Sequence, residues 1–308
     1  MQNQAWAIIL NPKAKGGNAA KIAQKLLARL DVLKLAYVVY ETKGQGGGED
    51  CARQCIDDGY TQILIAGGDG SVYDALNGIL SHPQYSVDAY KLAVFPIGTG
   101  NDFARITKAS ASPDRFAELL EKMNFRRFDV GQIIRESHPI RYFINVAGLG
   151  FDAQVAAYAN QLKKKGYSGM ITYLFALLAT LFHYRDADCT LSVDDGEPFR
   201  MSLFTVLAGN GTHAGNGMRL APDANPTDGY FHITCVGKIS RLKVVLNVHR
   251  IFAGTFKHFK EVKIYTARSL RIVPHEKVAI QADGEWLETG AVEFKILPLA
   301  VQMLVSDS

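Results

Sequence analysis

The sequence predicts two domains of different class: an N-terminal three-layer α/β domain over residues 1–127, then a C-terminal β-sandwich domain over residues 128–297. Three observations predict it. Strand and helix signals alternate through the first 125 residues or so, the pattern of parallel strands covered on both faces. From about Phe128 short apolar runs bounded by Gly, Asp or Pro dominate, the pattern of a sandwich. A chain of 308 residues is also long enough for two sizeable cores. The segment 298–308 is a candidate to complete the first domain.

In the first domain, Ala5–Leu10 reads as a strand, and Ala19–Leu30 as a helix with Ile22, Leu26, Leu27 and Leu30 on one face. A strand over Leu35–Tyr40 and a helix over Glu49–Asp57 follow, separated by Gly46-Gly47-Gly48. Thr61–Ala66 and Lys91–Phe95 are further strands, with a helix at Val72–Leu80 between them. In the second domain ten short strands are expected between Phe128 and Val305. Two helical segments interrupt them, near Ala153–Phe182 and Ser240–Phe256.

Composition narrows the function classes. Hydrophobic residues make up 48% and charged residues 21%, and no apolar run reaches the roughly 20 residues of a spanning helix. The apolar stretch at the N-terminus is short, has no basic leader and ends at Asn11-Pro12, so it reads as a strand and not a signal peptide. A cytoplasmic protein is expected. Cys51, Cys55, Cys189 and Cys235 form no CxxC pair, which argues against a thiolate metal site. The net charge of +4 is mild. With no basic tail and no aromatic-interleaved basic stripe, nucleic acid is not an expected partner.

Three Gly-rich turns carry the chemistry, each at a strand end where ligands of parallel sheets bind. Asn11, Lys13, Gly16 and Gly17 lie after the first strand; the glycines let the backbone approach a ligand, and a helix N-terminus follows. An ordinary strand-to-helix turn is the other reading. Gly67, Gly68, Asp69, Gly70 and Ser71 expose a run of backbone N–H groups that suits polyphosphate. A carboxylate among phosphates calls for a cation or a sugar hydroxyl, unless Asp69 simply caps a helix. Gly98, Thr99, Gly100, Asn101 and Asp102 repeat the logic after the next strand.

Read in order, NPKAKGG, GGDGS with ALNG, FPIGTGNDFAR, NVAGLGFDA and LAPDANPTDGYF, closing with Asp283-Gly284-Glu285, resemble the diacylglycerol kinase catalytic-domain family. That family includes bacterial diacylglycerol kinases and sphingosine and ceramide kinases. The likeness spans nearly the whole chain. GTGNDFAR is specific, whereas GGDG is shared with NAD kinases and phosphofructokinases. Ser71 departs from the family's usual Thr but keeps the hydroxyl.

The resemblance implies a nucleotide-binding first domain, ATP and Mg²⁺ in a cleft between the domains, and Asp283 as general base. A carboxylate that accepts an acceptor's proton recurs in phosphoryl transfer, and Glu285 is placed to assist it or to bind Mg²⁺. Without the resemblance, the polar hairpin turn is the favoured reading of Asp283–Glu285. LAPDANPTDG resembles the family's structural Mg²⁺ loop, in which Asp223 would supply a carboxylate and Leu220 and Asn225 backbone carbonyls; a Pro-Asp turn is the alternative. Lys163–Lys165 and the apolar Met170–Phe182 suggest contact with an anionic membrane surface or the lining of a lipid slot, or else a buried helix between the domains.

The expected activity is ATP-dependent, Mg²⁺-requiring phosphorylation of a hydroxyl on a membrane lipid, diacylglycerol first, by a protein peripherally associated with the membrane. A kinase of a soluble substrate such as NAD or a sugar phosphate is one rival. A non-catalytic lipid- or nucleotide-binding regulator is another. A symmetric homodimer is the common assembly for chains of this kind, and nothing in the sequence specifies it.

Overall fold

A computed structural model describes residues 5–14, 18–44, 46–167 and 169–306, except for the side chain of Lys164. Gly16 and Gly17 lie outside the described residues. The chain divides into two compact units, one made of residues 1–128 and 299–308 and the other of 129–298.

The first unit is built on a parallel sheet. Its strands are β1 (Trp6–Leu10), β2 (Tyr37–Glu41), β3 (Gln62–Gly67) and β4 (Lys91–Pro96). β1 lies between β2 and β3, β4 flanks β3, and Met303 near the chain's end pairs with Leu92 on the outer side of β4. β1 is buried along its whole length and β3 and β4 almost so, as parallel strands covered on both faces must be. Helices α1 (Ala19–Val32), α2 (Gly47–Asp57), α3 (Asp69–Leu80), α4 (Asp102–Thr107) and α5 (Pro113–Lys122) connect the strands. α1 and α5 cover one face, where Leu26, Leu30, Phe116 and Leu120 meet Trp6, Ile8, Leu64 and Phe95. α2 and α3 pair closely because Gly78 has no side chain: a Cβ there would lie 2.4 Å from the Glu49 carbonyl oxygen.

In the second unit the ladders are antiparallel. β5 (Phe125–Ile134) enters it and pairs with β6 (Arg141–Phe143). β7 (Val146–Gly150), β8 (Ala187–Val193), β9 (Phe199–Gly209), β10 (Phe231–Gly237) and β11 (Val262–Ala267) follow, then β12 (Ser269–Pro274), β13 (Ile280–Ala282), β14 (Glu285–Leu287) and β15 (Val292–Leu304). β9 changes partner along its length: Phe199–Leu203 pairs with β8, and the later half lies between β7 and β10. Helices α6 (Phe151–Lys164), α7 (Met170–His183), α8 (Arg241–Leu246) and α9 (Val248–Ala253) belong to this unit. Val155, Ala176, Leu177, Leu181 and Val244 from α6, α7 and α8 pack with Phe204 and Val236 of the sheet.

Several elements differ from the sequence reading, and β7 and β14 are strands it does not contain. The single helical segment near Ala153–Phe182 is two helices, separated by a turn in which Gly166 and Gly169 hold φ of +92° and +96°. The segment Ser240–Phe256 is α8 and α9 followed by a 3-10 turn at Thr255–His258. β15 runs unbroken through Pro298 where two strands are expected. α5 has no counterpart in the sequence reading, although Ser112-Pro113-Asp114 is a helix-start signal with Pro at the first turn.

Candidate active site

Asn11 and Lys13 of the first turn, Gly67–Ser71 and Gly98–Asp102 come together at the C-terminal ends of β1, β3 and β4. Asn11 ties the first to the second: its Nδ2 donates to Ser71 Oγ at 3.2 Å, while its Oδ1 accepts the Lys13 N–H at 3.1 Å. The second and third turns touch backbone to backbone. A Cβ on Gly98 would lie 2.4 Å from the Gly68 Cα, so this approach needs glycine on both sides. Asn101 folds the third turn on itself, accepting the Gly98 N–H at 2.8 Å and donating to the Gly98 carbonyl at 3.0 Å. Its φ of +52° is a left-handed conformation that Asn tolerates better than most residues. Thr99 is exposed at the tip, and Gly70 and Gly100 are partly exposed.

Asp69 does not cap its own helix. Its Oδ1 accepts the Phe103 N–H at 3.2 Å, at the start of α4. Burial and the neighbouring Asp102 push its carboxyl up to about 6, against the pull of the α4 N–H groups. Asp102 is 3% exposed and lies 3.5 Å from Arg105 Nε. Two close carboxylates beside exposed N–H groups suit a hard cation carried by phosphate oxygens.

In the second unit, Asp283 and Gly284 form the two-residue turn between β13 and β14. Both have positive φ, +48° and +85°, the pattern of a type I′ hairpin, for which Asp-Gly is a preferred pair. The turn directs the Asp283 carboxylate back onto the start of β7. Its Oδ2 accepts the Ile144 N–H at 2.8 Å, and its Oδ1 accepts those of Asn145 and Val146 at 2.9 and 3.0 Å. Glu285 opens β14 opposite Ala282. The turn's peptide groups are held as well: the Gly284 N–H donates to Gln281 Oε1 and Asn160 Nδ2 donates to the Gly284 carbonyl, both at 2.9 Å.

The loop expected to hold Mg²⁺ is occupied by an ammonium group. Lys257 Nζ lies 2.6 and 2.7 Å from the two Asp223 carboxylate oxygens. Asn225 Oδ1 accepts from the Thr227 hydroxyl at 2.9 Å, and the Leu220 side chain packs against Val146, Leu207 and Ala214. A divalent cation at Asp223 would take the place of the Lys257 ammonium; its other expected ligands are the backbone carbonyls of Leu220 and Asn225, of which the second accepts the Asp228 N–H at 3.4 Å. Among the described residues no three acidic, His or Cys side chains gather into a metal-sized cluster.

A further group of residues supports the site; of these the sequence points to Asn210 only, as part of a 209–213 stretch that could line a cleft. Asn210 is fully buried and its Nδ2 donates to the carbonyls of Asp129 and Ile144 at 2.9 and 2.7 Å, fixing the strand end next to Asp283's donors. Asp152, Thr205 and Gln281 lie beneath the Asp283 turn. An apolar cavity of about 100 Å³ opens in the same unit, with Phe151, Leu177, Phe204, Ile251 and Phe256 among its walls and Asp152 at its edge. Only the NVAGLGFDA stretch hints at Asp152.

Comparison with known proteins agrees over the whole chain. Residues 5–133 match the model of the diacylglycerol kinase catalytic domain, and residues 145–305 match that of the YegS C-terminal NAD kinase beta sandwich-like domain. A protein of Alcanivorax borkumensis named "Probable lipid kinase YegS-like" is 32% identical over 85% of this chain and 84% of its own. A diacylglycerol kinase of Mycobacterium tuberculosis is 28% identical over 96% of this chain and 93% of its own. A solved diacylglycerol kinase structure from Bacillus anthracis superposes with a TM-score of 0.73 at 20% identity, over 100% of this chain and 98% of that one, which speaks for the fold. The chain therefore belongs to the family of diacylglycerol kinases and YegS-like lipid kinases, and it is a kinase.

Proposed function

We propose that this kinase transfers the γ-phosphoryl group of ATP to the hydroxyl of a membrane lipid, with diacylglycerol as the first candidate and phosphatidic acid as its product. The observation that carries the lipid assignment is the apolar cavity of the second unit, together with the apolar surface beside it. Ile171, Phe175 and Phe182 of α7 are 84%, 57% and 60% exposed, and α8, packed beside α7, exposes Leu242 and Leu246. α7 is thus apolar on its outer face as well as its inner one. At 14 residues it is about 21 Å long, too short to span a bilayer but suited to lying in its surface. A kinase of a soluble sugar or dinucleotide has no use for either feature.

In this reading the turns at Asn11–Gly17, Gly67–Ser71 and Gly98–Asp102 hold the polyphosphate with backbone N–H groups. Mg²⁺ carried by the nucleotide, near Asp69 and Asp102, would offset the β- and γ-phosphate charge. The lipid oxygen bonds to the γ-phosphorus as the β–γ bridging bond breaks and ADP leaves. The hydroxyl proton passes to Asp283, whose carboxylate is fixed in advance by three N–H donors. Positioning and charge stabilisation supply most of the rate.

The test is transfer of labelled γ-phosphate to a mixed-micelle lipid panel, with NAD and sugar phosphates in parallel, for wild type and Asp283→Ala. Label in one lipid that falls at least about 100-fold in the variant, with nucleotide affinity kept, is the expected result. Label only in a soluble acceptor would replace the lipid assignment, and equal turnover in the variant would remove the proton-accepting role. The variant also strands three N–H groups, each worth about 1–3 kcal/mol if buried without a partner, so its melting curve must be recorded alongside.

A further inference from the structure

A polar chain runs from the cavity wall to the Asp283 turn. Asp152 keeps a little surface at the cavity edge while its carboxyl is enclosed by protein. Thr205 Oγ1 donates to its Oδ1 at 2.5 Å and Gln281 Nε2 donates to its Oδ2 at 2.9 Å. Gln281 is itself buried, and its other end, Oε1, accepts the Gly284 N–H at 2.9 Å. The direction of each hydrogen bond is fixed by the one before it. A carboxylate can only accept from Gln281, so the Gln281 amide must present its oxygen to Gly284. Space is fixed too: a Cβ on Gly148 would lie 2.5 Å from Asp152 Oδ2, so only glycine in β7 leaves room for this carboxylate.

An enclosed acid at an apolar cavity is costly to keep unless it is well partnered, and burial pushes Asp152 up to about 6 despite its hydrogen bonds. A purely structural position would be served as well by an uncharged side chain. An ionised carboxylate has no donor, so Gln281 can face it only through Nε2, and the Val146 carbonyl, 3.4 Å from the same Nε2, favours the same one of the two amide flips. That flip decides whether the Gly284 N–H has an acceptor, and so how firmly the two-residue turn is set.

We propose that Asp152 is a positioning residue for phosphoryl transfer, acting through Gln281 to hold the Asp283–Gly284 turn in register. The proposal rests on the role assigned to Asp283 above. It also places the turn's support in the wall of the cavity assigned to the lipid, so that cavity and turn share one residue.

The test is a polarity swap. In Asp152→Leu the acceptor is gone and Gln281 Nε2 keeps only the Val146 carbonyl at 3.4 Å; Asp152→Asn alone can turn Oδ1 to Gln281 and Nδ2 to Thr205 Oγ1, whose hydroxyl then donates to the Leu149 carbonyl, and so keeps the chain. Gln281→Glu sets two carboxylates face to face. In the double variant Asp152→Asn with Gln281→Glu, the amide at position 152 donates to the carboxylate at position 281, and that carboxylate accepts the Gly284 N–H. The chain is restored with the charge moved by one residue. Asp152→Leu and Gln281→Glu are each expected to lower kcat roughly 10- to 100-fold with the KM values for ATP and lipid within about 2-fold, since small misplacements near the chemistry cost that much. The amide hydrogen of Gly284 should exchange faster in each. The double variant should recover both readouts to within about 3-fold of wild type.

A rise in lipid KM with unchanged kcat in Asp152→Leu would overturn the proposal and make Asp152 a contact of the lipid. Loss of kcat in the double variant equal to that of Gln281→Glu alone would also overturn it. The exchange measurement does not depend on the substrate. If wild type transfers nothing to lipid, the lipid reading fails; unchanged Gly284 exchange in Asp152→Leu then overturns this inference as well, while faster exchange in Asp152→Leu and in Gln281→Glu, the latter reversed by the swap, sustains it.

Discussion

At the scale of residues, the turns that are dense in glycine were legible because their signal is local. Gly67–Ser71 and Gly98–Asp102 sit where a parallel sheet binds its ligands, and the structure brings Gly68 and Gly98 into backbone contact. What was not legible depends on partners far along the chain. Lys257 lies 34 residues from Asp223, Gln281 lies 129 from Asp152, and the donors to Asp283 lie 137 to 139 before it. No periodicity or spacing encodes such pairings. Asp69 illustrates the difference. Its place in a Gly-rich turn is readable; its role on the next turn's helix, α4, is not.

That position has a measurable pH signature. The Asp69 carboxyl is raised from its ordinary value near 3.8 to about 6, by burial first and Asp102 second. A raised carboxyl means that the folded state holds the proton more tightly than the unfolded one. Its stabilising contribution is then complete below about pH 4 and is lost as pH rises through 6. Asp69→Asn, neutral throughout, removes this dependence. The stability of wild type relative to the variant, from urea unfolding, should therefore fall by about 2–3 kcal/mol between pH 4 and pH 7. A difference that grows with pH would mean the α4 N–H groups dominate and hold the group ionised.

Among elements, α7 shows where pattern reading stops. Apolar periodicity runs from Ala153 towards Phe182 without saying where one helix ends, and two positive-φ glycines make the break. Periodicity also fails to say which face of an all-apolar helix is inside. Ala176, Leu177 and Leu181 are buried, and Ile171, Phe175 and Phe182 are not. β15 departs from expectation for the opposite reason: Pro298 is a strand breaker in general, yet the strand runs from Val292 to Leu304. The outer face of α7 carries its own prediction. Ile171→Asp with Phe175→Asp should leave the melting temperature within a few degrees, because both side chains are exposed. Sedimentation with anionic vesicles should fall at least about 10-fold. Undiminished sedimentation would remove α7 from the membrane-contact reading.

For the whole molecule, the class of each half was readable from composition and alternation, since both are averages over many residues. The order of the chain through the halves matters more for folding. The first unit takes its last strand segment from beyond the second: Val301, Met303, Leu304 and Val305 are buried in it. Tyr85 Oη donates to the Ala300 carbonyl and Gln302 Nε2 to the Val87 carbonyl, both at 2.7 Å. The Val305 and Ser306 N–H groups reach the carbonyls of Asn124 and Thr107 at 3.0 Å. Removing residues 299–308 exposes the flank of β4 and about four buried apolar side chains, each worth roughly 1.5–3 kcal/mol. The sum rivals the whole stability of a domain. The truncated protein should lose nucleotide binding and cooperative unfolding of the first unit, read by limited proteolysis, while fragments from 129–298 persist. A truncated protein that still binds ATP with wild-type affinity would contradict this.

The same arrangement sets a timetable for the chain as it is made. Every residue from 129 to 298 leaves the ribosome before the segment that completes the first unit does. Until then the open flank of β4 is an unpaired parallel edge, ready to pair with any extended chain nearby. Rapid, independent closure of the inserted half shortens that exposure, whereas a variant that slows it, wherever its residue lies, prolongs it. The yield of intact kinase in a cell therefore depends on how quickly the middle of the chain folds, even for substitutions that leave the nucleotide turns untouched.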